Sequence, residues 1–160
     1  YGVESANPKT LALLRKDVQV HQARQAFADT RAAGLRSLAY MILGAPGEAA
    51  ADVRRSVRFC REIGADYVQF SSLVAMPGTP LFQHPRSTTS VKNPVDADLS
   101  RSTLTDLDEE ELSQLMRQAW SAFYLRPRPL ARLARDAWAS GSIAEAIRLG
   151  RALGRWAIAA

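Results

Sequence analysis

Three short stretches hold the residues best suited to chemistry. Glu4-Ser5 pairs a carboxylate with a hydroxyl; Gly44-Ala45-Pro46-Gly47-Glu48 is a tight turn ending in a second carboxylate; and Ser71-Ser72 precedes a Met76-Pro77-Gly78-Thr79-Pro80 turn. Carboxylate, hydroxyl and exposed backbone groups together suit a polar small molecule such as a nucleoside bearing an amino acid. Other chemistries are poorly provided for. Gly44 to Glu48 lacks the Gly-Lys-Ser/Thr ending of a phosphate loop. Ser71 and Ser72 have no histidine base to make them nucleophiles. His21, His84 and Cys60 are far apart and share no metal-ligand spacing. Taken singly, Glu4 could equally assist a helix N-terminus, and the glycine turn could be an ordinary turn.

Each stretch follows a segment that reads as a strand. Residues 1–5 look like the end of one. Leu38-Ala39-Tyr40-Met41-Ile42-Leu43 is an unbroken apolar run, which predicts a parallel strand buried on both faces. Tyr67-Val68-Gln69-Phe70-Ser71 is the third. Helices are predicted between them. A short one starts at Asn7-Pro8, with Asn7 as N-cap. A second spans 20–33, with Val20, Ala23, Ala26, Phe27 and Thr30 on one face, and ends at Gly34. A third runs to about Ile63 and ends at Gly64. Strands alternating with helices imply βαβ units and an α/β fold with a parallel sheet, either doubly wound or part of a barrel. In such folds the C-terminal strand ends form one rim, where binding sites gather. The three chemical stretches all fall there.

Their combination is more specific than any member. Tyr1-Gly2-Val3-Glu4-Ser5, then Leu43-Gly44-Ala45-Pro46-Gly47-Glu48, then Phe70-Ser71 and Pro77-Gly78-Thr79-Pro80-Leu81-Phe82 resemble, in order and spacing, the radical S-adenosylmethionine (SAM) proteins. The similarity is strongest to the branch associated with cobalamin-binding domains, which includes methyltransferases and the anaerobic cyclase of bacteriochlorophyll synthesis. Phe123-Tyr124-Leu125-Arg126-Pro127 is a weaker echo of the same branch. Ala6 stands where that branch commonly has Gly, and Ala75-Met76 where Pro-Tyr is usual.

The resemblance implies that residues 1–83 are the C-terminal half of a partial six-stranded (βα) TIM-like barrel. Residues 84–104 would be a loop or lid, and 105–160 a helical C-terminal extension. It implies SAM binding by Glu4 and Ser5, by Gly44, Pro46, Gly47 and Glu48, and by Ser71. It also implies a [4Fe-4S] cluster that cleaves SAM reductively to a 5′-deoxyadenosyl radical, and cobalamin where a methyl group is passed on to a lipid, tetrapyrrole or other small molecule. The cluster needs three thiolates in a C-x3-C-x2-C loop. This chain has one cysteine, Cys60, in mid-helix, so it is expected to be inactive alone and to need the missing N-terminal barrel half or a cobalamin domain as partner. A chain opening on Tyr1 in a strand end is accordingly expected to be a piece of a longer protein.

Composition sets the remaining bounds. The 160 residues are 47% hydrophobic and 23% charged, ordinary for a globular chain. A single cysteine and the lack of a long apolar run fit a cytoplasmic protein. The net charge of +5 is uneven, because residues 115–160 carry eight arginines against Asp136 and Glu145. The helices predicted near 105–124, 128–139 and 142–158 hold this excess. They read either as an amphipathic extension packed on the barrel or as a membrane-surface element. Nucleic-acid binding would rest on charge alone and is not expected. A non-catalytic α/β partner-binding module is the alternative to the enzyme reading.

Overall fold

The predicted alternation of strands and helices is realised as an α/β fold in the computed structural model, which describes residues 1–83 and 104–142. In chain order the elements are β1 (Gly2–Glu4), α1 (Pro8–Leu13), α2 (Val20–Ala32), β2 (Leu38–Leu43), α3 (Ala50–Glu62), β3 (Tyr67–Ser72), a 3-10 turn (Pro80–Gln83), α4 (Glu109–Tyr124) and α5 (Pro127–Ala139). The strands form one parallel sheet in the order β1-β2-β3. β2 and β3 are in continuous register, from Leu38 opposite Tyr67 to Leu43 opposite Ser72. β1 pairs Gly2 with Tyr40 and Glu4 with Met41, so its register slips at its end. Three parallel strands do not by themselves make a partial barrel. The loop or lid expected over 84–104 lies outside the described residues except for Leu104. The helix expected over 142–158, with its arginines, lies outside them except for Ser142.

Local chemistry explains the helix ends. Asn7 Oδ1 accepts the Lys9 amide at 3.0 Å, and Pro8 opens α1. α2 and α3 both finish in a Schellman turn. Leu35 N–H reaches Thr30 O at 3.0 Å and Gly34 N–H reaches Arg31 O at 3.0 Å; Ala65 and Gly64 make the equivalent bonds to Cys60 and Arg61. α4 starts later than the predicted Thr105 or Asp106. Asp108 is its cap, accepting the Glu111 amide at 2.7 Å. Thr105 and Asp106 are drawn away by other amides, those of Leu107 and Gly47.

The main core lies on one face of the sheet. Val3, Ala39, Met41, Leu43, Val68 and Phe70 point to that face and meet α2, α3 and α4. The expectation that β2 is buried on both faces is therefore corrected. Tyr40 is 49% exposed, and Leu38 and Ile42 are only partly covered. Among the described residues, no helix layer covers that second face. Ile42 is apolar because it joins a smaller cluster, with Leu13, Leu14, Ala45, Leu73 and Leu104, across the C-terminal strand ends. No helix among the described residues is long and apolar enough to cross a membrane.

α4 does more than cover apolar surface. The Tyr124 hydroxyl donates to Val68 O at 2.7 Å and accepts from Val68 N–H at 2.9 Å. One phenol thus satisfies both outward backbone groups of Val68, on the side of β3 where no further strand pairs among the described residues. Burial pushes that phenol's pKa up, so it stays protonated as donor. Tyr124→Phe keeps the ring and its stack on Trp120 but leaves both groups unsatisfied. We expect it to cost about 1–3 kcal/mol in urea unfolding, with slowed exchange at the Val68 amide lost. An unchanged midpoint would show that water replaces the phenol at no cost.

Candidate functional site

Glu4 sits where β1 ends and its register slips, with φ at +64°, a conformation seldom taken by a residue with a side chain. Its Oε1 meets Lys16 Nζ at 2.9 Å. The pair lies directly over Gly2. A Cβ there would fall 2.5 Å from Glu4 Oε1 and 3.0 Å from Lys16 Nζ, so a larger residue would push these two flexible side-chain ends aside. Lys16 reaches back because α1 stops at Leu13 and the chain turns at Arg15, which has φ of +50°. The Lys16 amide then bonds Leu11 O at 2.9 Å. Sequence reasoning missed Lys16. Its only signal was a basic pair at the end of a short helix, and the turn that aims it is not written in residue types.

Ser5 and Glu48 occupy a second, buried layer. Ser5 Oγ accepts the Asn7 amide at 3.0 Å and lies 3.5 Å from Ser56 Oγ, which itself accepts the Ala6 amide at 3.1 Å. The turn after β1 is thereby tied to α3. Glu48 is only 2% exposed. Its Oε2 accepts the Gly44 amide at 2.8 Å and the Ala45 amide at 3.2 Å, closing the loop on itself. Its Oε1 is buried with no hydrogen-bond partner among the described residues, although the Ser5 hydroxyl is near enough to bias its charge. Burial pushes the Glu48 pKa above the usual carboxylate range, against the opposing pull of the two amides.

The other predicted residues fall on the loop and on the open face. Gly44 has φ of +78°, and a Cβ on it would meet Leu112 of α4 at 3.0 Å. It is buried, Pro46 is half-buried, and Gly47 is exposed and donates its amide to Asp106 Oδ2 at 2.6 Å. Ser71 is half-buried and pairs with Ile42, on the opposite side of β3 from Phe70. The structure thus brings Ser5 and Glu48 together beneath the rim and sets the half-buried Glu4 at the rim beside the exposed Lys16. Cys60 is fully buried in α3, where burial pushes its thiol up to about 12, as befits a small core residue. No cluster of His, Cys, Asp and Glu able to hold a metal occurs among the described residues.

No protein-family model matches the chain. Among curated proteins, an uncharacterized methyltransferase of Pyrococcus horikoshii is 29% identical over 139 residues, covering 81% of this chain and 29% of that protein. A tRNA-2-methylthio-N(6)-dimethylallyladenosine synthase of Chloroflexus aurantiacus is 28% identical over 116 residues, covering 71% of this chain and 25% of that protein. The chain spans less than a third of the length of either relative.

The raised pKa of Glu48 has a definite sign for stability. The folded state holds its proton more tightly than the unfolded chain, so this contribution is fully present below the unfolded carboxyl value. It is lost as pH rises through the higher folded value. Glu48→Gln keeps an acceptor for the Gly44 and Ala45 amides and removes the buried charge. At pH 8 we expect it to unfold at equal or higher urea than wild type, with a flatter stability profile above pH 5. Glu48→Ala strands two buried amides and is expected to cost about 1–3 kcal/mol for each amide that finds no other acceptor. A Gln variant as damaged as the Ala variant at pH 8 would mean that the carboxylate is needed ionised.

Proposed function

We propose that this chain is the C-terminal portion of a radical SAM enzyme of methyl-transfer or methylthio-transfer type, and that it binds SAM at the rim of its sheet. The observation that carries the reading is the Glu4–Lys16 pair seated over Gly2 at a strand end. SAM carries an α-ammonium and an α-carboxylate side by side. A carboxylate and an ammonium held 2.9 Å apart can exchange their mutual ion pair for one with each of those groups. The left-handed Glu4 and the space left by Gly2 are built features of the kind that strain and glycine placement serve at binding sites. The ordered motifs and the names of the two relatives support the same reading.

Within this proposal Ser5 and Glu48 are positioning residues. They hold the turn after β1 and the Gly44–Glu48 loop from beneath, while Pro46, Gly47 and Ser71 border the ligand. The parallel sheet would be part of a larger barrel, and the uncovered face with Tyr40, Gln69 and Ser71 would line its interior. The [4Fe-4S] cluster does not fit the residues of this chain. It requires three thiolates, and Cys60 is a buried, protonated core residue. Its ligands would lie in the remaining part of the protein, which the relatives' greater length accommodates. When bound, the reduced cluster supplies the electron for breaking a sulfur–carbon bond of SAM. Use of cobalamin rests on the motif resemblance alone, and no step is assigned to it.

The test has two parts. Coding sequence upstream of Tyr1, or an adjacent gene, should contain the C-x3-C-x2-C loop; its absence from both would sink the catalytic reading. In the complete protein, Glu4→Gln and Lys16→Met should each weaken SAM binding by about ten- to a hundredfold, the worth of one charged hydrogen bond. The iron–sulfur absorbance should stay unchanged. Wild-type affinity in both variants would remove the ligand from this rim.

A further inference from the structure

α5 turns Pro129 and the half-buried Leu133 inward, Leu133 against the main core, with ion pairs beside them. Arg132 pairs with Asp66 at 2.6 Å, while Asp136 takes Arg36 at 2.6 Å and the Tyr67 hydroxyl. Pro129 is the only buried residue of the helix. Leu130, Ala134 and Trp138 recur every fourth residue on the opposite side, which places them in one stripe. Leu130 is 44% exposed and Trp138 77%, and Leu125 at the α4–α5 elbow is 44% exposed. Beyond the apolar residues it packs inward, α5 thus leaves two large apolar side chains in the open.

An arginine cluster adjoins the elbow end of this stripe. Arg126 lies near Arg61 of α3 and Arg128, and both positive neighbours add to burial in lowering its pKa. Its Nε donates to Phe123 O at 2.8 Å, and its guanidinium lies over the Phe123 ring at 5.0 Å. The ion pairs of this region go to Arg36 and Arg132. Among the described residues, none joins a carboxylate to Arg61, Arg126 or Arg128. Three gathered guanidiniums without an acid call for an external anion.

We propose that the outer face of α5 docks on an anionic lipid surface. Leu125, Leu130 and Trp138 enter the interface, and Arg61, Arg126 and Arg128 meet the phosphate headgroups. Charge selects this occupant over the others. A second copy on the same face would set the arginine clusters side by side if the helices ran parallel, and would leave each without an acid if they ran antiparallel. An RNA strand would satisfy the arginines and stack a base on Trp138, but it would leave Leu125 and Leu130 uncovered.

Flotation of the full 160-residue chain with phosphatidylglycerol vesicles, against phosphatidylcholine vesicles, tests this. Binding is expected only to the anionic vesicles and should weaken with salt. The surface variants Leu130→Ser/Trp138→Ser and Arg61→Gln/Arg128→Gln should each lower it tenfold or more, with unchanged circular dichroism and urea midpoint. Both leave residues 143–160 intact, so full binding by either variant would overturn the assignment to α5. Equal binding to neutral vesicles, or no vesicle binding at all, would also overturn it. So would a concentration-dependent dimer broken by the Leu130/Trp138 variant, or bulk RNA bound equally tightly by that variant and by wild type.

Discussion

One-sided burial of the three-stranded sheet is the constraint on which the rest depends. α2, α3 and α4 all lie over the face that presents Val3, Ala39, Met41, Leu43, Val68 and Phe70. Each large side chain buried there contributes about 1.5–3 kcal/mol, far more than any of the surface ion pairs. This fixes strand register, because a slip of one residue would send the apolar set to the wrong face. It also leaves the other face, with Tyr40, Gln69 and Ser71, free for a different purpose. The rim inherits its order from the same packing. Ser56 belongs to the buried face of α3, and through its hydroxyl the core reaches the turn that carries Glu4.

Much of this was legible in the residues. The helix stops at Gly34 and Gly64, the Asn7 cap and the three strands follow from local chemistry, which residue type reports directly. Two readings failed for a common reason. The unbroken run Leu38–Leu43 reports that its residues are apolar, not what covers them: Tyr40 is left half in the open, while Ile42 joins the smaller cluster. Likewise the helix expected from near 105 starts later, and Asp106 is claimed by Gly47, a residue far away in sequence. Long-range partners override local preference in both cases.

The candidate site shows the same division. Its motifs were visible as motifs, yet the roles within them were not. Glu4 and Glu48 look alike in sequence, each a carboxylate at a strand-end turn. Glu4 answers to a lysine at the surface, whereas Glu48 is enclosed and answers to two backbone amides. Glu48, deprived of water, is harder to ionise even with two amides pointed at it. Lys16 was invisible because its importance comes from the reversal at Arg15 and from the empty space above Gly2.

The two C-terminal helices described here are attached by different physics, and this bears on how independently they can act. α4 places Leu115, Met116, Ala119 and Phe123 in the main core and clamps β3 through Tyr124, so it cannot leave without unfolding the sheet. α5 fully buries only Pro129, rests the half-buried Leu133 on the core, and otherwise holds on through Arg36–Asp136 and Arg132–Asp66. Ion pairs that reach solvent contribute about 0–1 kcal/mol each and are screened by salt. Separation of α5 is therefore far less costly than loss of α4, and its position responds to the ionic surroundings. A helix held by one apolar contact, one buried proline and two screened ion pairs is the element that can shift most cheaply without disturbing the rim.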